Sequence, residues 1–163
     1  MNWDGVFFGS STGNTEEVAE LIANSLNTDL HDIGSPDAIK LIKDSNNIVI
    51  GTSTWGDGDL QDDWDDIMSE FQDIDFSGKT VALFGLGDQE GYPETFVDAM
   101  REIYDVVLER GAKVVGETSL DGYDFEESIA VVDGKFVGLA LDQDNQEDLT
   151  ESRIEAWCSN LSS

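Results

Sequence analysis

Residues 6–15 read Val-Phe-Phe-Gly-Ser-Ser-Thr-Gly-Asn-Thr, and they join a short apolar run to a segment with helical spacing. The apolar run predicts a buried strand, and residues 16–26 predict a helix because their apolar side chains recur every three or four positions. Between them, glycine and small hydroxyl residues let backbone N–H groups converge at the helix start, where the helix dipole also favours an anion. An ordinary turn with a helix N-cap has the same composition, so the choice between a turn and an anion site depends on the other loops of the chain. The favoured interpretation is a phosphate cradle made of Ser10, Ser11, Thr12, Gly13, Asn14 and Thr15.

The cradle contains no lysine or arginine, which separates it from the loops of nucleotide triphosphatases. A Walker loop places Lys and then Ser or Thr after its second glycine, whereas Asn14 and Thr15 follow Gly13 here. Without the cation that grasps the outer phosphates, we expect the cradle to hold a single phosphate monoester.

Length and composition predict one domain over residues 1–163, with 39% hydrophobic residues. No apolar stretch approaches the roughly 20 residues of a membrane span, and residues 1–4 lack the basic start of a signal peptide. We therefore expect a cytoplasmic protein, or one in an equivalent soluble compartment, without membrane insertion.

Cys158 is expected to be a structural thiol and His31 a structural residue, since neither has a partner at motif spacing.

The charge is strongly negative, with 36 acidic against 8 basic residues and a formal net charge of −28. Such a surface repels nucleic acid phosphates and anionic lipid heads, and it attracts basic surfaces of partner proteins. The alternative is that the acidity serves solubility. Nucleic acid binding is excluded as an expected function.

Apolar runs alternate with helical patterns along the chain, which predicts consecutive β-α units and a parallel sheet covered on both faces. The predicted strands are residues 5–8, 30–33, 47–51, 80–85 and 113–116. The predicted helices are residues 16–26, a short one opened by Ser35-Pro36, residues 62–71, residues 97–108 and residues from about 149 to 161. This order of elements predicts a doubly wound, five-stranded parallel sheet of order 2-1-3-4-5 in three α/β/α layers. Residues from about 119 to 138 lack a helical period and predict an insertion in the fifth strand.

In such a sheet the ligand crevice lies at the carboxyl ends of strands one and three, where the strand order reverses. The loop after strand three carries Trp55 between polar and glycine residues, and the loop after strand four carries Tyr92. Aromatic residues on loops often cap a core instead. Two rings flanking one slot, with a phosphate cradle at its end, suit a flat conjugated ring with a phosphorylated tail. That description fits FMN.

Taken together, the cradle, the loop 54–60, the loop 86–93 and the insertion resemble those of a flavodoxin. The insertion, with Asp121-Gly122-Tyr123-Asp124-Phe125 and the later stretch 134–142, resembles the long-chain type of photosynthetic organisms. The resemblance implies a monomeric, low-potential, one-electron carrier with non-covalently bound FMN, and not an enzyme. It also implies that the protein replaces ferredoxin between photosystem I and ferredoxin-NADP reductase.

The resemblance further implies roles for individual residues in the crevice. Residues 10–15 would hold the phosphate, Trp55 and Tyr92 would lie against the isoalloxazine ring, and Asp144 would reach the ribityl chain. The Gly56-Asp57 peptide would turn its carbonyl toward flavin N5 on reduction, which glycine makes easy. The other implied FMN contacts are Thr54, Leu86, Gly87, Asp88 and Gln89, of which Asp88 and Gln89 would meet the pyrimidine edge.

Two positions depart from the usual pattern of the family. Asn14 stands where some relatives place Lys, and Gly56 where some place Asn. These departures leave phosphate affinity and the balance of the two one-electron potentials open, and neither removes the site.

Six aspartates between Asp57 and Asp66 are expected to disfavour the anionic reduced flavin and to dock basic partners. A solvated helix N-terminus is the alternative reason for that acidic run. We expect the insertion to serve partner recognition, because it leaves the sheet away from the cradle.

Three other classes of protein share parts of this sequence pattern. An FMN-dependent reductase on the same fold needs a proton donor above the ring, but no His, Cys or Lys lies in the crevice loops. A phospho-signalling receiver needs an acidic pair after strand one, where Gly9-Ser10-Ser11 stands instead. A dinucleotide-binding module has glycines at the spacing G-x-G-x-x-G. Here the glycine that follows Gly85 and Gly87 is Gly91, which lies one residue too far along the chain.

Overall fold

The computed structural model describes residues 2–9, 13–55 and 59–162, which form alternating strands and helices. The strands are β1 (Gly5–Phe8), β2 (Leu30–Asp32), β3 (Asn47–Trp55), β4 (Asp59–Leu60), β5 (Thr80–Leu86), β6 (Lys113–Val115), β7 (Val131–Val132), β8 (Lys135–Phe136) and β9 (Leu139–Leu141). The helices are α1 (Asn14–Leu26), α2 (Ala38–Asp44), α3 (Asp62–Phe71), α4 (Asp98–Glu109) and α5 (Glu147–Ser162).

The main sheet has the order β2-β1-β3-β5-β6, with every neighbouring pair parallel. This is the predicted order 2-1-3-4-5, because the short β4 is an added strand that pairs antiparallel with β3. The last strand of the sheet consists of two pieces. β6 pairs with the first residues of β5, Thr80 to Ala82, and β9 pairs with its last residues, Phe84 to Leu86. The chain between the two pieces leaves the sheet and returns to it.

Side chains alternate between the two faces of the sheet, as the pleat requires. On one face, Phe7, Ile50 and Leu83 belong to a core that includes residues of α2, α3 and α4. On the other face, Phe8 and Val49 belong to a core with residues of α1 and α5. The predicted three-layer α/β/α architecture is confirmed. Within the described ranges, no helix combines the length and the apolar character needed to cross a membrane.

Several element boundaries differ from the sequence prediction by one to four residues, and two of these differences have a physical reason in the structure. The prediction that Ser35-Pro36 opens the second helix is wrong: α2 starts at Ala38, after a turn in which Ala38 N–H donates to Ser35 O at 3.1 Å. β3 continues beyond the predicted end at Gly51 because Thr52 and Ser53 pair with β5, and it reaches Trp55 because β4 folds back and pairs with its last two residues. Both differences depend on contacts that a local pattern does not reveal.

The insertion is anchored by an aromatic cluster. The rings of Phe96, Tyr123, Phe125 and Phe136 lie 4.9 to 5.9 Å apart between centroids. At the base of the insertion, Thr118 and Phe136 exchange two backbone hydrogen bonds, of 3.1 and 2.9 Å. The stretch therefore packs as an ordered part of the domain.

We expect Lys79→Met to lower the free energy of unfolding by about 1 to 3 kcal/mol, because it removes the donor for two carbonyls. Lys79 is buried, and its Nζ donates to Lys43 O at 2.9 Å and to Ser45 O, at the end of α2. Methionine keeps the apolar stem but donates nothing. Urea unfolding measures the effect, with the exposed Lys135→Met as the control. Equal losses in the two variants would contradict this role.

Cys158 should react with thiol reagents only after unfolding. The side chain is buried, and burial raises the pKa of its thiol to about 11, although a hydrogen bond with Ser25 opposes that effect. Because the unfolded thiol ionises at lower pH, its contribution to stability should fall as pH rises from about 9 towards 11. Rates of labelling with a disulfide reagent, with and without denaturant, test this; rapid labelling of the native protein at neutral pH would refute it.

Candidate functional site

The carboxyl ends of β1, β3 and β5 meet at one edge of the sheet, where Gly9, Trp55 and Leu86 lie. The helix after β1 packs on one face of the sheet, and the helix after β3 packs on the other. Strands β1 and β3 therefore border a topological switch point, which is where open α/β sheets bind ligands.

The N-terminus of α1 lies at this switch point. Its N-cap residue is Gly13, which has a left-handed φ of 92° and has no side chain to occupy the N–H groups of the first turn. Among the described residues, none would lie within 4 Å of a Cβ at Gly13, whereas Thr15 is buried in the first turn. Asn14 is exposed. This end of α1 can accept an anion through backbone N–H groups and the helix dipole.

Several predicted site residues lie outside the described ranges. These are Ser10, Ser11 and Thr12 of the cradle, and Gly56 and Asp57 of the loop after β3.

The carbonyl of Gly51 in β3 joins the end of β1 to α3. It accepts hydrogen bonds from Gly9 N–H at 3.3 Å and from the indole Nε1–H of Trp64 at 2.9 Å. A Cβ at Gly9 would lie 2.2 Å from Gln61 Oε1 and 2.8 Å from Trp64 Cδ1, so only glycine fits where β1 ends. The end of β1, directly before the cradle, is therefore held against β3 and α3 by close packing.

Thr54 connects the end of β3 to α4. Its Oγ1 accepts a hydrogen bond from Ala99 N–H at 3.0 Å, in the first turn of α4. The N-cap of α4 is Val97, which provides no side-chain cap and has a left-handed φ of 50°. Thr54 thus satisfies a helix donor that the local sequence leaves without a capping side chain.

We expect Thr54→Val to destabilise the protein by about 1 to 2 kcal/mol, since the cap is lost and the side-chain volume is kept. Thr54→Ser keeps the hydroxyl group and should lose less than half as much. Chemical denaturation of the three proteins gives the comparison. If the serine and valine variants unfold at the same denaturant concentration, the hydroxyl group does not cap α4.

The loop after β5, residues 87–92, is shaped by Asp88. Its Oδ1 accepts hydrogen bonds from Gly91 N–H at 2.7 Å, Glu90 N–H at 3.2 Å and Asn145 Nδ2 at 2.8 Å. The hydrogen bond from the Gly91 backbone, followed by that from Asn145, lowers the pKa of the Asp88 carboxyl. Gly87 is required at the start of this loop, because a Cβ there would lie 2.9 Å from Val97 N. The Asp88 side chain is thus used to hold the loop.

Gln89 and Tyr92 differ sharply in exposure. Gln89 is buried; its N–H donates to Asp142 Oδ2 at 3.1 Å, and its Oε1 accepts from Asp124 N–H in the insertion. Tyr92 is 45% exposed. The insertion therefore contacts the crevice loop 87–92 through Gln89, although we expected it to lie away from the cradle.

Asp144 lies beside two further carboxylates. One carboxylate oxygen from each of Asp88, Asp142 and Asp144 lies within 4.8 Å of the other two. Burial, followed by the charges of Asp88 and Asp142, raises the pKa of the Asp144 carboxyl. The sequence analysis missed Asp142 and Asn145, although an Asp directly after an apolar strand and before a helix is a turn signal that points to this position.

The first turn of α3 adds three acidic residues, Asp62, Asp63 and Asp65, close to the same edge. Nearby, burial and then the charges of Asp65, Asp59 and Asp98 raise the pKa of the Glu102 carboxyl. The site edge is therefore strongly negative around a helix N-terminus that itself favours an anion.

The parallel sheet is open, a helix N-terminus lies at its switch point, and an exposed aromatic ring lies at the rim. These features are typical of doubly wound proteins that bind a small phosphorylated ligand. The model of the Flavodoxin family matches residues 6–157. The chain is 48% identical to a flavodoxin from Nostoc sp. over 98% of this chain and 95% of the relative. It is 45% identical to flavodoxin 1 of Escherichia coli, over 97% of this chain and 92% of the relative.

Among solved structures, the crystal structure of Fusobacterium nucleatum flavodoxin bound to flavin mononucleotide is similar, with a TM-score of 0.93 and 35% identity. The alignment covers 99% of this chain and 98% of that one. The chain belongs to the flavodoxin family.

Proposed function

We propose that this protein binds one FMN non-covalently in the crevice formed by β1, β3 and β5, and that it carries single electrons at low potential. Membership of the flavodoxin family and the similarity to a flavodoxin bound to flavin mononucleotide support this. The observation that carries the proposal is the N-terminus of α1 at the switch point, with Gly13 as its N-cap. A phosphate monoester fits it without a basic side chain.

The residues proposed to hold FMN follow from this placement. Residues 10–15 hold the phosphate, Trp55 and Tyr92 flank the ring, and Asp144 serves the ribityl chain. The side chains of Asp88 and Gln89 and the N–H groups of Gly87 and Gln89 form hydrogen bonds within the protein, so we assign the pyrimidine edge to the remaining backbone groups of residues 87–89. Thr54 and Leu86 complete the set as the strand ends that carry these loops.

When bound, FMN supplies the one-electron redox chemistry, and the protein sets the environment in which an electron is added. The crevice loops carry no lysine or arginine, and Asp88, Asp142 and Asp144 lie together beside one of them. Negative charge near the ring disfavours the addition of further negative charge. The potential is therefore expected to be low.

A visible spectrum, recorded during stepwise anaerobic reduction of the purified protein, tests the proposal. An electron carrier should show flavin bands and then accumulate a one-electron-reduced flavin. A flavin that passes directly to the fully reduced form would favour an FMN-dependent reductase on the same fold. A colourless protein that does not take up added FMN would overturn the flavin assignment.

We also propose that the protein exchanges electrons as a monomer with basic surfaces of redox proteins in the cytoplasm or an equivalent soluble compartment. By family resemblance these are photosystem I and ferredoxin-NADP reductase, with the protein in the place of ferredoxin. The net charge of −28 supports a basic partner surface. Electron transfer rates to ferredoxin-NADP reductase should fall as salt rises. Rates that are independent of ionic strength would exclude electrostatic steering.

A further inference from the structure

Asn145 lies between the end of β9 and the start of α5, and its side-chain amide bridges two carboxylates. Nδ2 is 2.8 Å from Asp88 Oδ1 and 2.8 Å from Asp142 Oδ2. An amide nitrogen carries two protons, so it can donate one to each carboxylate. The contact to Asp88 joins parts of the chain that are 57 residues apart.

The bridge lies where like charges crowd together. Asp88, Asp142 and Asp144 have carboxylate oxygens within 4.8 Å of one another, and Asp142 is completely buried. Asp142 also accepts hydrogen bonds from the N–H groups of Gln89, Asp144 and Asn145. Carboxylates at this separation repel one another unless donors are placed between them. The Asn145 amide is a donor to both Asp88 and Asp142.

We propose that Asn145 is a positioning residue of the flavin site, acting through Asp88. Its amide holds Asp88 against the buried Asp142, and Asp88 in turn accepts the N–H groups of Glu90 and Gly91 that close the loop 87–92. Without the bridge, Asp88 swings away from Asp142, and the loop loses the shape in which its backbone meets the ring edge. This inference rests on the proposed function of that loop.

The test is a double-mutant cycle on FMN affinity with Asn145→Leu, Asp88→Ala and the combined variant. Asn145→Leu keeps the approximate volume and removes both donors. We expect it to weaken FMN binding about tenfold alone, and less than threefold in the Asp88→Ala background, because the partner it acts through is then absent. The matched control is Asn24→Leu, at an exposed position of α1.

A second readout uses the protein without FMN. Asn145→Leu should shift the backbone amide NMR signals of Glu90 and Gly91, which donate to the same Asp88 oxygen, whereas Asn24→Leu should leave them in place. Should Asn145→Leu fail to fold, Asn145→Ala, which removes the donors without adding a charge, replaces it in both experiments.

The outcomes separate this inference from the proposed function. Equal losses of FMN affinity in both backgrounds, or unshifted Glu90 and Gly91 signals, would overturn the positioning role even though the wild-type protein binds FMN. A wild-type protein that binds no FMN would overturn the proposed function, and with it the assignment of Asn145 to a flavin site.

Discussion

Trp64→Ala should lower the free energy of unfolding by about 4 kcal/mol, as expected for removing a completely buried indole from a packed core. The ring of Trp64 packs edge-on against Phe71, with centroids 5.2 Å apart, and its Nε1–H donates to Gly51 O. The substitution therefore removes apolar contacts and also one of the two donors to that carbonyl. Since small proteins are stable by only about 5 to 15 kcal/mol, this is a large share of the total.

Trp64→Phe separates the two contributions. It keeps an aromatic ring in the core and removes the N–H group, so the loss should be about 1 to 2 kcal/mol. Denaturant unfolding of the FMN-free proteins, followed by circular dichroism, measures both variants. A loss below 1 kcal/mol for Trp64→Ala would show that α3 does not depend on this side chain.

Gly138→Ala should destabilise the protein by about 3 kcal/mol, because a methyl group has no room where the chain returns to the sheet. A Cβ at Gly138 would lie 2.1 Å from Leu83 O and 2.7 Å from Leu83 C, which are backbone atoms of the central strand β5. Leu83 is itself paired with Ile50 of β3, so its peptide cannot move aside without disturbing the sheet.

Gly34→Ala is the matched control for this prediction. A Cβ there comes no closer than 3.3 Å to another atom, Asp32 Oδ1, and the residue is exposed. Its effect should remain within about 0.5 kcal/mol. Thermal and denaturant midpoints compare the two variants. A Gly138→Ala protein as stable as the Gly34→Ala protein would mean that β9 can shift relative to β5.

Local patterns predicted most of the fold because strands and helices have short sequence periods. The run Val6–Phe8, the helical spacing after it and the alternation of apolar runs with helical segments placed the main strands in order. Even the interruption of the last strand was visible, as a stretch without helical period between two strand-like runs. Signals of this kind depend only on neighbours in the chain.

The features that escaped prediction depend on residues distant in sequence or on competing turns. β3 runs on to Trp55 because β4 pairs with it, and Asn145 meets Asp88 across 57 positions. The start of α2 was misplaced because the turn closed by Ser35 and Ala38 took the place of a cap at Ser35. Composition suggested the cradle, which stays a prediction, but the hydrogen bonds that hold Asp88 and Gln89 in place left no signal in the sequence.

The closed base of the insertion has a consequence for chain length. Thr118 and Phe136 already bond to each other, so the residues between them form a loop whose two ends are pinned by the sheet. The entropy of closing such a loop grows only with the logarithm of its length, and doubling the length costs about 0.6 kcal/mol more. This point of the fold can therefore carry loops of very different sizes while the strands on either side keep their register.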